Sequence, residues 1–186
     1  MRFLDRQGLL TTFLTQLSKN EIKETELILW SYSPNEKSNW SLLNKARIEF
    51  GETVARGSEP DIIIRTDKVL YFIEAKLSAK NETKPSDLQN RKKYETGGNG
   101  LFRQIFKSDY ETVAIKEERY ELMRYWLLGS WMAGQLGTDF EFYSLVMSSR
   151  DQEIQAEFDK HIIETNERKF SRLTWEQICN FVKTLT

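Results

Sequence analysis

Apolar residues recur at helical spacing near the start of the chain, where Leu4, Leu9, Leu10, Phe13, Leu14 and Leu17 fall near one face. The first fifty residues therefore predict mainly helix. The run ELILWSYS fits either a helix end or a short strand. SPNEK then breaks the chain, and KSNWSLLNKARIEFG resumes a helical period through Trp40, Leu43, Ala46 and Arg47, with Gly51 as a stop. At residue 60 the period changes. Residues 60–66 and 69–76 are two β-rich apolar runs separated only by Asp67 and Lys68, which predicts an antiparallel hairpin. Both runs are apolar on both faces, so the hairpin belongs in a sheet with helices on either side.

Residues 78–100 are polar and carry Pro85, Gly97, Gly98 and Gly100, which predicts a long loop. A short helical piece over 101–108 precedes a stronger helix over 117–135 that buries Leu122, Trp126, Leu127 and Trp131. Residues 138–148 read as a strand and 151–164 as an amphipathic helix, with His161 at its surface. In the last helix Thr174 is the N-cap and Gln177 completes a capping-box spacing. The order predicts one α/β domain over 1–186, with a central mixed sheet flanked by helices. It divides into a helical N-terminal part (1–39), a core (40–147) and a helical C-terminal part (148–186).

Composition narrows the chemistry. Cys179 and His161 are the chain's single cysteine and single histidine. A disulfide framework, a four-cysteine zinc site and a multi-histidine metal site are therefore excluded, and any bound metal must be held mainly by oxygen, as Mg²⁺ or Mn²⁺ are. A serine or cysteine hydrolase would need His161 as base, and no Gly-x-Ser-x-Gly elbow is present to serve it. The N-terminus lacks a signal-type apolar core and no stretch approaches a membrane span, so the expected location is the cytoplasm. A net charge of −1 leaves any polyanion partner to a local patch.

The predicted hairpin carries acids at its open end. Pairing across a turn at 67–68 sets Asp61 opposite Glu74, with Cβ atoms about 4.5–5.5 Å apart. Lys76 shares the face of Glu74, and Ala75 points the other way. Glu-x-Lys occurs four times in the chain, but only the copy at 74–76 ends an apolar strand. Facing carboxylates repel unless something neutralises them, and either a divalent cation or nearby Lys76 and Arg65 could do so.

The PD at 60–61 followed by EAK at 74–76 resembles the signature of the PD-(D/E)XK nuclease superfamily, the restriction-endonuclease-like fold. That resemblance implies an αβββαβ core over about residues 40–147 and a Mg²⁺-dependent phosphodiester hydrolase, with Mn²⁺ as a substitute. Asp61, Glu74 and the backbone carbonyl of Ala75 would hold the metal, and Lys76 would orient the attacking water. In the family a helix before the hairpin often carries a further glutamate; Glu49 is favoured here and Glu52 is its rival. A Gln-x-x-x-Tyr pattern found in some members is not matched by Gln89 and Tyr94, which leaves Gln104 as a supporting candidate.

Between residues 76 and 93, Lys76, Lys80, Lys84, Arg91, Lys92 and Lys93 face only Glu82 and Asp87 in sequence, a patch suited to a phosphate backbone. DNA is the expected substrate, with RNA open, and specific cutting of both strands would call for a homodimer. The alternative is a non-catalytic domain, binding nucleic acid or another partner, that kept the fold.

Overall fold

The computed structural model describes every residue except Lys19, Ala55, Arg56, Leu88, Gln89 and Thr186. Helices α1 (Arg2–Arg6) and α2 (Leu10–Ser18) lead into strands β1 (Thr25–Leu29), β2 (Tyr32–Ser33) and β3 (Ser38–Asn39). Helix α3 (Ser41–Glu49) precedes the hairpin of β4 (Ile62–Thr66) and β5 (Val69–Lys76). Next come α4 (Arg91–Gly100), α5 (Phe102–Ile105), a π-helical turn (Glu111–Lys116) and the long α6 (Tyr120–Leu136). The chain ends with β6 (Asp139–Val146), α7 (Ile154–Asp159), β7 (Arg168–Thr174) and α8 (Trp175–Lys183).

The seven strands form one mixed sheet in the order β3-β2-β1-β4-β5-β6-β7. Pairing is antiparallel from β3 through β5 and parallel from β5 through β7. Residues 69–73 of the interior strand β5 are wholly buried, which accounts for an apolar run with no alternation. Leu70 and Phe72 face a core built with α3 to α7, whereas Val69, Tyr71 and Ile73 face a second core built with α1, α2 and α8. Helix α6 lies unusually close to the sheet. A Cβ built on Gly129 would come within 2.0 Å of the Phe140 ring, which is itself packed among Phe72, Trp126 and Phe142. Among the described residues no helix is long and apolar enough to cross a membrane.

The hairpin, α6, β6 and the Thr174–Gln177 capping box all form where the sequence placed them. Elsewhere there are corrections. The N-terminal part holds β1 to β3 as well as helix, and ELILWSYS runs from β1 into β2. The polar segment 78–100 is not all loop, because residues from Arg91 form α4 until Gly97, Gly98 and Asn99 break it. Only Ile154–Asp159 of the predicted 151–164 helix is helical, and RKFSRLT forms β7 within the part expected to be helical. His161 is buried rather than superficial, and its Nδ1 lies 2.9 Å from Ser108 Oγ. Burial lowers its pKa.

Candidate functional site

The β4–β5 ladder pairs Ile62 with Ile73 and Arg65 with Leu70, so one step further Asp61 falls opposite Glu74. Asp61 stands just before β4, in a segment held from several sides. Arg47, buried in α3, donates from Nε to the Ser58 carbonyl and from Nη2 to Ser31 Oγ. Tyr125 donates its hydroxyl to the Glu59 carbonyl at 3.1 Å. With that segment fixed, Asp61 Oδ2 accepts the Ala75 N–H at 2.9 Å. A residue in an extended strand presents its N–H and C=O to the same neighbour, so the Ala75 carbonyl also faces the Asp61 side.

Glu74 and Lys76 project from β5 beneath α6. Lys76 Nζ donates to Glu74 Oε1 at 2.6 Å and to Glu121 Oε2 at 2.8 Å. Glu74 is 3 % exposed, and its Oε2 is buried without a hydrogen-bond partner. Burial pushes its pKa up to about 7, helped by Glu121 and Asp61 and opposed by Lys76. Burial alone would lower the Lys76 pKa, but the bonds to Glu121 and Glu74 raise it above the ordinary lysine value. The ammonium is therefore fixed between two carboxylates and stays charged.

Glu121 is the residue that the sequence did not reveal. It sits in the first turn of α6, and its backbone N–H donates to Thr83 Oγ1 at 2.8 Å. Thr83 also bonds through its backbone to Glu118 and Tyr120, which ties the segment after β5 to the start of α6. Asn81 anchors the same segment by donating to Ser144 Oγ at 3.0 Å and Asp151 Oδ2 at 2.7 Å. Ser144 lies beside Glu74 in the parallel β5–β6 register, and Asn81 Oδ1 is a second buried oxygen without a partner. The one local clue to Glu121 was an acid at the mouth of a predicted helix.

The structure gives the remaining candidates other surroundings. Glu49 is exposed at the end of α3 and accepts the Gly98 N–H at 3.1 Å. Its rival Glu52 is buried, accepting from the Ser58 N–H, Ser58 Oγ, Tyr94 Oη and Arg124 Nε. Among the described residues no three His, Cys, Asp or Glu side chains gather closely enough to hold a metal, so Asp61 and Glu74 stand as a pair. Gln104 is exposed on α5, and Gln89 lies outside the described residues.

The basic patch is more neutralised than its sequence suggests. Lys80 pairs with Glu82 at 3.2 Å, Lys84 with Glu118 at 2.8 Å and Arg91 with Glu95 at 2.9 Å. Lys93 lies over the Tyr94 ring, and Lys92 is exposed. Comparison of the chain with protein-family models, curated proteins and solved structures returned no match.

Proposed function

We propose that the chain is a divalent-cation-dependent nuclease of the restriction-endonuclease-like kind, acting on DNA. One observation carries this proposal: a carboxylate pair at the open end of a hairpin, one member buried with an unpartnered oxygen, beside a fixed ammonium. A purely structural ion pair would satisfy both oxygens of a buried carboxylate, as happens at Glu52. The order of elements supports the same reading. Helix α2, antiparallel β1, β4 and β5, helix α6 and parallel β6 follow the αβββαβ sequence, with β2, β3 and α3 inserted after the first strand and α4, α5 and the π-helical turn inserted before α6. On that alignment the helix before the core is α2, not α3, which removes the reason to favour Glu49.

The donor set suits Mg²⁺ or Mn²⁺, since the orphan Glu74 Oε2 and the Asp61 carboxylate are hard oxygens that repel each other without a cation. Asp61, Glu74 and the Ala75 carbonyl would hold it. A bound cation there would polarise the phosphodiester and lower the pKa of its water. Lys76 supplies a charge that stabilises negative charge growing on phosphate oxygens. Glu121 is the second carboxylate on the Lys76 ammonium, and so helps set where that charge points.

The competing reading is a buried ion-pair triad with no chemistry, which the two short Lys76 contacts favour. Cleavage of supercoiled plasmid, linear duplex, single-stranded DNA and RNA in Mg²⁺, Mn²⁺ and EDTA separates the two. Metal-dependent cutting is expected, reduced at least 100-fold in Lys76→Ala. A metal at a hundred times its Kd also adds about 2.7 kcal/mol of stability. Absence of both cutting and metal-induced stabilisation would leave the ion-pair triad as the explanation.

A further inference from the structure

The two-residue turn between β1 and β2 is made by Trp30 and Ser31, both in the left-handed region at φ 47° and 65°. Tight hairpins with two such residues favour Asn-Gly or Asp-Gly, because a bulky side chain is disfavoured there. Packing does not explain the tryptophan, since the residue is 66 % exposed. The turn is nevertheless rigidly held. Ser31 Oγ accepts from buried Arg47 and donates to Glu59, and the Ser31 carbonyl accepts the Trp40 N–H. The Trp30 N–H reaches the Asp61 carbonyl at 3.4 Å, so turn and candidate site are joined through the backbone.

The indole stands on a ridge between two open clefts. Asp61, Lys76, exposed Leu77 and Trp175 line one of them. Arg6, Asp5 and half-exposed Tyr32 line the other, and Arg2 borders both. An exposed aromatic side chain with Arg2 and Arg6 beside it suits single-stranded nucleic acid, by base stacking on the ring and phosphate contact with the guanidinium groups. Residues held at positive φ gather at ligand sites, and the exposed ring is what this turn presents.

We infer that Trp30 is a base-stacking platform, and that the substrate enters the Asp61–Lys76 site as single-stranded DNA with an unpaired base on the Trp30 indole. This inference rests on the nuclease reading above and extends it to a substrate class. The test is fluorescence anisotropy of a labelled single-stranded oligothymidylate and a duplex of equal length, with EDTA and with Ca²⁺, on the full chain. Wild type is expected to bind the single strand more tightly than the duplex. Trp30→Asn, whose side chain tolerates positive φ, is expected to keep or raise Tm yet lose single-strand affinity at least fivefold. Trp30→Phe is expected to retain most of it.

Equal affinity in wild type and Trp30→Asn would overturn the platform, and so would a wild-type preference for duplex. If either result accompanies metal-dependent plasmid cutting, only the platform falls. If wild type neither binds nor cuts, the nuclease reading falls with it.

Discussion

Two buried glutamates meet helix α6 in opposite ways. Glu52, 7 % exposed, takes four donors from Ser58, Tyr94 and Arg124. Burial by itself would raise its pKa, but Arg124, Ser58 and Tyr94 together hold it below the ordinary value. Glu74, 3 % exposed, has Lys76 on one oxygen and nothing on the other, and its pKa rises to about 7. The same side chain at similar burial is thus a structural tie in one place and an unsatisfied acid in the other. The difference lies in the partners each receives. A buried carboxylate with spare coordination is the one able to take a ligand.

The largest expected effect falls on the satisfied side. Glu52→Ala strands the Arg124 guanidinium and the Tyr94 hydroxyl, so urea unfolding should show a loss of about 3–5 kcal/mol. A loss under about 1 kcal/mol would mean that the network does not tie α3, α4 and α6 together.

Glu74→Gln should do the reverse. Because its folded-state pKa exceeds the usual 4.5, Glu74 holds more proton in the native protein than in the unfolded chain between pH 4.5 and about 7. The Glu74 contribution to wild-type stability therefore falls as pH rises through that window, by on the order of 3 kcal/mol. Glu74→Gln should lose this share of the slope, Asp159 with its raised pKa keeping its own, and be the more stable protein at pH 8, while losing cleavage. Unfolding curves at pH 4.5 and pH 8 with parallel behaviour in both proteins would remove the contrast between the two glutamates. Glu52, with its lowered pKa, gives the opposite slope, its contribution fading as pH falls below 4.5.

The smallest effect sharpens the comparison. Tyr94→Phe removes one of the donors to Glu52, and a loss of about 1–2 kcal/mol in thermal unfolding is expected, with the rest of the network intact. A loss as large as that of Glu52→Ala would show that the hydroxyl, rather than Arg124, holds the carboxylate.

What could be read in the sequence follows from distance along the chain. Asp61, Glu74 and Lys76 lie on one hairpin, so a two-residue turn and strand alternation were enough to set them on one face. Glu121 lies 45 residues beyond Lys76, and only the docking of α6 brings it near. The same holds for Glu118, whose bridge to Lys84 removes part of the basic patch. Strands β2 and β3 span two residues each, too short to show a period, and β7 carries Arg168, Lys169 and Arg172 among its apolar positions. His161 lies beyond the end of α7, in the turn where Ser108 meets it, so the helical period does not describe its surroundings.

The close seating of α6 at Gly129 makes a residue remote from the chemistry part of its tolerance to substitution. Glu121 stands eight positions earlier on the same rigid helix, about 12 Å along its axis. Any side chain at 129 must displace a Phe140 ring hemmed in by three aromatic neighbours, or else raise the helix. Raising the helix would carry Glu121 away from the Lys76 ammonium. In mutational terms, position 129 counts with the site whose spacing it keeps, although its own contribution there is the absence of a methyl group.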